Sequence, residues 1–483
     1  MTTTGTSAAA PARLLAALAP PRPTAPAGPP RPWRLLVHAC LGLAALSLLG
    51  PSQPTYDPWA WLIWGRDIVH LDLVTTAGPS WKPLPVLFTT PFAVIGTGAA
   101  PDLWLVVARA GGLLALAMAY RLASRLGGRA AGVLAVVSLA GASLFASFAF
   151  RGNSEGLLVG LALWAIERHL DGRPRDAFLL GTACALLRPE TWPFVALYGL
   201  WLVASAREDP RRGRTVALVG GAGVLVAVLW FVPEYIGSGN VFRAASRALE
   251  PVPDSPAQAT HPFVAVFTNS AAALWAPAYV GGVLAVLLAL LGDRRDPRNR
   301  AVLALAIGST VLMITVAVLA EIGFTGNLRY VALPASLVCV LAGVGWARAF
   351  ALVRRRAGAV VAAVAALVVL AAAVPFAVAD VNRTRGQFRA ALDEAAVADD
   401  LPAAIAKAGG PAAIERCGRV KTGPFETQLV AWHLHMHQHT IGLLPTPPAT
   451  VVAVRGSGRP AGAPGFRTVA LTKRWVVQTS CAG

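Results

Sequence analysis

Ionisable side chains stand at the ends of long apolar runs, or in the loop between the first two runs: Asp57, Lys82, Arg151, Glu155, Arg188, Glu190, Glu321 and Arg329. Charge beside hydrocarbon is expensive, so such groups are candidates for function by default. A carboxylate there can take a proton, an arginine fork can hold the oxygens of an anion, and a lysine supplies a point charge. The bland reading pairs Arg151 with Glu155 four residues on, and Arg188 with Glu190 across a tight turn. Lys82 and Arg329 have no such sequence-local partner. For Asp57, which precedes Pro58, the bland role is the N-cap of a helix, a role compatible with that of a base. Asp67 and Asp72 are expected to face water.

The elements that must position these groups follow from composition. The chain has 483 residues, 55% apolar and only 14% charged, where a soluble chain is about a quarter charged. Its cations fall in short loops between apolar runs of about 20 residues, each long enough to cross a bilayer. About eleven spans are expected: 33–51, 100–121, 129–149, 154–170, 175–187, 190–206, 214–233, 272–292, 300–320, 328–350 and 357–379. The fifth and sixth meet at Arg188-Pro189-Glu190. With the N-terminus cytoplasmic, the clusters Arg121–Arg129, Arg168–Arg175, Arg207–Arg214, Arg294–Arg300 and Arg348–Arg356 all lie inside, as the positive-inside rule requires. The net charge of +18 is thus topological, and no basic face interleaved with aromatics points to nucleic acid.

Residues 1–32, rich in Ala, Pro and Thr, are expected to be a disordered cytoplasmic leader. The first span lacks a cleavage site and is expected to be retained as an anchor. The first outside loop, 52–99, carries Trp59, Trp61, Trp64 and Trp81, and should form helices lying along the membrane interface. A second outside loop, 234–271, is expected to be a mobile lid. Residues 380–483 should form an extracytoplasmic α/β domain, with a helix over 388–407 and strands near 450–454, 467–471 and 475–479. Cys40, Cys184 and Cys339 belong to spans as packing residues, whereas Cys417 and Cys481 are expected to pair in an oxidising compartment. His433, His435, His437 and His439 alternate; on a strand they share a face, and on a helix they form two pairs. Either arrangement suits a metal, but no Cys or carboxylate stands beside them, and a polar face is the plainer reading. Trp432 and Trp475 suit either sugar stacking or a core.

The motifs around the candidate residues resemble those of the GT-C membrane glycosyltransferases, which use polyprenyl-phosphate sugars. The resemblance rests on Tyr56-Asp57-Pro58-Trp59, on Trp81-Lys82-Pro83-Leu84-Pro85, on Pro101-Asp102-Leu103-Trp104 followed by Arg109, and on Gly326-Asn327-Leu328-Arg329-Tyr330-Val331-Ala332-Leu333-Pro334. It covers roughly 33–380 and is similar to the aminoarabinose- and protein-mannosyl-transferring members. The external C-terminal domain is similar to that of actinobacterial arabinosyl- and mannosyltransferases. The resemblance implies an inverting transfer from a polyprenyl-phosphate sugar to an envelope glycan, lipid or protein at the outer face of the cytoplasmic membrane. Asp57 would take the acceptor proton. Lys82 and Arg329, with Arg188 and Arg151, would hold the departing phosphate, and Glu155, Glu190, Tyr330 and Trp81 would stand around them. The broken apolar stretch after Lys82 would admit the prenyl tail. Many relatives carry two adjacent acids where this chain has Asp57-Pro58, so no metal ligand is assigned; a divalent cation stays open. The rival classes are a transporter or lipid-linked-glycan flippase, which would show repeats and mid-membrane charge that are not found here, and a non-catalytic assembly protein.

Overall fold

A backbone with no water to bond must satisfy itself, and from Trp33 to Lys407 the chain does so almost wholly as helix. The computed structural model describes residues 33–251, 255–271, 274–456 and 465–481; the expected leader lies outside them. The helices are α1 (Trp33–Leu46), α2 (Tyr56–Val69), α3 (Pro83–Ile95), α4 (Ala100–Gly127), α5 (Arg129–Ala140), α6 (Ser143–Phe150), α7 (Glu155–Leu170), α8 (Pro174–Ala185) and α9 (Trp192–Ser205). Then follow α10 (Arg212–Ser238), α11 (Arg243–Ala248), α12 (Pro262–Ala271), α13 (Ala276–Leu291), α14 (Pro297–Glu321), α15 (Ala332–Lys407), α16 (Pro411–Arg416) and α17 (Thr427–His433).

Among the described residues, four helical segments are long and apolar enough to cross a membrane: α4, α10, α14 and Leu328–Lys407. A fifth is added if the bent pair α12 and α13 forms one span. The other expected spans fall on shorter helices, α1, α5 with α6, α7, α8 and α9. Large apolar side chains lie bare on the outer faces of α9, α10 and α14, among them Leu197, Leu200, Val224 and Ile307. Lipid tolerates such a surface and water does not, so the chain is a membrane protein. The two last expected spans share α15, which is broken only at Gly358. Its φ of +89° is one that glycine adopts without strain, directly after Arg354-Arg355-Arg356.

Small residues let the helices approach closely. A Cβ on Gly345 of α15 would lie 1.8 Å from the carbonyl oxygen of Gly281 in α13. Such backbone contact replaces the hydrophobic drive that lipid cannot supply. Cys40, Cys184 and Cys339 are buried among the helices.

After Lys407 the chain forms a four-stranded sheet in the order β1-β2-β4-β3, from β1 (Arg419–Lys421), β2 (Ala449–Val454), β3 (Arg467–Leu471) and β4 (Trp475–Ser480). β1 pairs parallel with β2 and the other pairs are antiparallel, with Val454 opposite Trp475. The last three strands lie where their runs of Val and Thr place them. β1, three residues long, carries no period to read. A disulfide joins Cys417 to Cys481, with Cα atoms 4.4 Å apart. Trp475 is fully buried and donates to the Val397 carbonyl at 2.7 Å, so it is core and not a sugar platform. Nor does the C-terminal region stand apart: Trp432 lies 5.8 Å from Trp59, and one apolar core runs from Trp59, Trp61 and Trp64 to Val420, Trp432 and Trp475.

Gly345→Val should destabilise the protein by about 1–3 kcal/mol, since a packed backbone contact cannot yield to a side chain. Gly220→Ala in α10, where nothing lies within 4 Å, should leave stability unchanged or raise it slightly. Thermal unfolding of the two variants in one detergent distinguishes the sites; equal melting temperatures would contradict the packing.

Candidate functional site

Short polar corners at one end of the helices carry the charged groups. Asp57 is the second residue of α2, and Thr55, not Asp57, occupies the N-cap position. The N-cap reading of Asp57 is therefore wrong: Pro58 lies inside the first turn, and the carboxylate points away to other elements. Lys82 immediately precedes α3, and Arg188 precedes the 3-10 turn Pro189–Thr191. Both residues stand before proline, which disfavours helical backbone, and both are extended: φ/ψ is −139°/113° at Lys82 and −147°/118° at Arg188. The two corners are joined by the Leu84 N–H donating to the Leu186 carbonyl at 3.1 Å. Arg329 and Tyr330 lie in the 3-10 turn Leu328–Val331 that leads into α15.

These corners meet on Asp57. Arg329 Nη1 donates to its Oδ2 at 2.7 Å, and Lys82 Nζ lies 3.7 Å from the same oxygen. Asp57 is 7% exposed and Lys82 6%. Burial alone would raise the Asp57 carboxyl, but Arg329, Lys82 and Arg188 outweigh it and hold the group below its ordinary value. Lys82 moves the other way: burial and then Arg188 bring it down to about 7, although Asp57 and Glu155 favour its charged form. Its ammonium also rests 5.0 Å from the Trp61 ring and donates to Ser154 Oγ at 3.4 Å. Arg188 is ion-paired with Glu155, and its second nitrogen lies 3.8 Å from Glu190. The Tyr330 ring underlies Arg188 at 4.4 Å and Arg329 at 5.5 Å. Among the described residues, the buried Nε of Arg188 and of Arg329 and one oxygen each of Glu155 and Glu190 have no hydrogen-bond partner. The cluster is balanced, Lys82, Arg188 and Arg329 facing Asp57, Glu155 and Glu190, with donor capacity left over.

Other candidates fall differently. The Arg151 side chain leaves the cluster for an ion pair with Glu394 of α15. The expected Arg151–Glu155 pair is not made, because the helix ends at Phe150 and the chain turns through Gly152 with φ +80°. Only the backbone of Arg151 serves the site, its carbonyl accepting from the Thr55 N–H at 3.2 Å. Trp81 donates to the Leu229 carbonyl at 2.9 Å and packs on Trp64 at 5.2 Å, holding the start of the Lys82 corner. Arg109 ties down the end of α1 by donating to the carbonyls of Ser47, Pro51 and Phe150. Ser154 and Trp61 escaped sequence reading; Trp61, one helical turn after Asp57, carried the only signal.

Asp67 does not face water. It is buried, 3.0 Å from Arg66, and 3.1 Å from His437, whose other ring nitrogen lies 2.9 Å from Asp72. The four histidines share neither a strand face nor a helix: α17 ends at His433, His435 has φ +57°, and His437 opens a 3-10 turn. Among the described residues, no group of three or more His, Cys, Asp or Glu is placed to hold a metal ion.

A groove of about 560 Å³ lies among the helices, and its lining includes none of the cluster's charged residues. Its upper end is marked by Thr191, whose hydroxyl donates to the Arg188 carbonyl, and by Leu333, one turn after Arg329. It descends between α7, α8, α9 and α14, lined chiefly by apolar and small residues, to His169 and Arg300. On α14 it runs from Leu312 to Pro297, about 22 Å at 1.5 Å per residue, against a hydrocarbon core of about 30 Å. This apolar slot lies between helices of the bundle, whereas the stretch after Lys82 packs as α3 against α2.

No protein-family model and no curated protein matches the chain. Solved structures do. ArnT from Cupriavidus metallidurans bound to undecaprenyl phosphate superposes with a TM-score of 0.56 at 14% identity, covering 93% of this chain and 98% of that one. Its apo form gives 0.54 over the same shares. The oligosaccharyltransferase of Archaeoglobus fulgidus gives 0.48 at 13% identity, over 88% of this chain and 69% of that one. The similarity to ArnT extends over nearly the whole of both chains, so the chain shares the fold of that structure.

Proposed function

We propose that the protein is an inverting glycosyltransferase that moves a sugar from a polyprenyl-phosphate donor to a cell-envelope glycan, lipid or protein. In this reading the chain crosses the cytoplasmic membrane about eleven times, with its N-terminus inside and residues 380–483 outside, and the reaction takes place at the outer face. One observation carries the proposal: a buried carboxylate shared by Arg329 and Lys82, in a chain whose helices also enclose a long apolar groove. The undecaprenyl phosphate bound by the structural neighbour ArnT is a lipid of the shape such a groove and the cluster's cations would take.

Asp57 is the base. Its depressed pKa leaves it ionised at neutral pH, ready to accept the proton of the attacking hydroxyl. Arg329, Lys82 and Arg188 receive the charge that grows on the departing prenyl phosphate. Arg329 shifts part of its bonding from Asp57 to phosphate; the carboxylate then loses some of what held it low and becomes the stronger base. Glu155 and Glu190 keep Arg188 aimed. Sugar class, hexose or pentose, is left to loops outside this cluster.

Asp57→Asn keeps the shape and should lower kcat by at least about 10²-fold, the usual share of a general base. It should not weaken binding of sugar-free polyprenyl phosphate, since Arg329 is released. Transfer at the wild-type rate would refute the base, as a flippase would predict.

The donor is a phosphodiester of fixed charge, so its binding follows the protein. Lys82 is charged below about pH 7 and loses its proton above it. The donor KM should therefore rise above pH 7, by up to about tenfold per unit while one proton is taken up on binding. Lys82→Met should raise KM and flatten this profile. A profile unchanged by the substitution would exclude Lys82 from the phosphate site.

Ala304→Trp projects bulk into the lower groove. With about 0.8 kcal/mol per buried methylene, displacing one isoprene unit should raise KM for a long-chain donor at least about tenfold, and leave a donor cut to two isoprene units unaffected. Equal effects on both donors would place the tail elsewhere.

A further inference from the structure

Two ionisable groups buried outside the reacting cluster share one task. Glu234, fully buried near the end of α10, accepts from Thr75 Oγ1 at 3.4 Å and from the Trp81 backbone N–H, and faces Arg243 Nη1 at 3.5 Å. Arg243, the first residue of α11, donates to the Pro79 carbonyl at 2.8 Å and to the Gly78 carbonyl at 3.0 Å. Arg247, one turn on, reaches the Gly78 carbonyl at 3.3 Å, and Ser80 Oγ donates to the Ala244 carbonyl at 3.0 Å. The Thr75 N–H donates to the Gly237 carbonyl at 2.9 Å. Every polar contact of residues 75–81 named here runs to α10 or α11, and the next residue is Lys82.

The far end of α11 meets the segment that leads to the other cation. The Ala248 carbonyl accepts from Thr325 Oγ1 at 3.4 Å, and Gly326, φ +65°, would bring a Cβ within 3.2 Å of Pro256. Phe324 lies 4.6 Å from Tyr330, the ring that underlies Arg329 and Arg188. A six-residue helix thus spans from the Lys82 corner to the Arg329 turn.

We propose that Glu234 and Arg243 are positioning residues, fixing α11 as a strap that sets the separation of Lys82 and Arg329 and hence the fit of the phosphate between them. This rests on the reading of those cations as the phosphate site. The second outside loop is then, over α11, a brace and not the mobile lid expected from its length. An unpaired carboxylate as deeply buried as Glu234 would be costly, so the pair is maintained together. Arginine is required because one guanidinium must bond two successive carbonyls and the carboxylate at once; a lysine offers a single head.

The test is equilibrium binding of sugar-free polyprenyl phosphate to purified full-length protein in detergent, alongside thermal unfolding. Arg243→Met should weaken binding about tenfold, Arg243→Lys less, and a Ser80→Ala/Thr325→Val double variant, which keeps the buried pair, about threefold with an unchanged melting temperature. Wild-type affinity in the double variant and in a folded Arg243→Met would overturn the strap. If Arg243→Met does not fold, the double variant and Arg243→Lys decide. Failure of the wild-type protein to bind the lipid phosphate would instead overturn the function proposed above.

Discussion

A carboxylate cannot leave water unless cations leave with it, and the arrangement around Asp57 is what that constraint permits. Arg329 and Lys82 come from loops more than two hundred residues apart in the chain, yet both end on the same oxygen. Removing one partner of such a buried set is far more costly than the set's net contribution to stability. The helices that carry the corners are therefore bound to a common arrangement: α2 must start where α3 and α15 start. The packing of small residues such as Gly281 and Gly345 then brings the helix backbones close enough for those starts to coincide.

Much of this was legible in the amino-acid order because hydrocarbon makes charge conspicuous. Asp57, Lys82, Arg188 and Arg329 stood out as ionisable groups at apolar ends. What could not be read was pairing across the chain. Arg151 looked partnered by Glu155, but the positive φ at Gly152 ended the helix and freed the guanidinium for Glu394. Asp67 looked exposed because its partner, His437, lies in the C-terminal region. The apolar groove forms where α7, α8, α9 and α14 leave space, a property of their assembly and of no single segment.

The C-terminal region illustrates the same limit at a larger scale. Three of its strands are visible in sequence as short apolar runs in a stretch punctuated by Gly and Pro, whereas its attachment is not. Trp432 against Trp59, and Arg66 donating to the Met436 carbonyl at 2.8 Å, join it to α2 only a few turns from Asp57. A region so joined cannot swing free of the site, and acceptor binding on it would be transmitted through a shared apolar core and not through a linker.

Why the cations sit on corners and not on helix faces follows from what the proposed reaction would require of each. A lysine in mid-helix keeps several rotamers and moves with its stem, and holding it costs about 2 kcal/mol of side-chain freedom. At Lys82 the next residue is proline, the backbone is extended, the ammonium is seated on Trp61 and Ser154, and α11 holds the preceding residues. Arg188 has the same pre-proline geometry, a Tyr330 ring beneath it and Glu155 beside it. The ordering entropy is met when the chain folds and not when an anion arrives, so charge developing between these groups meets donors already in place.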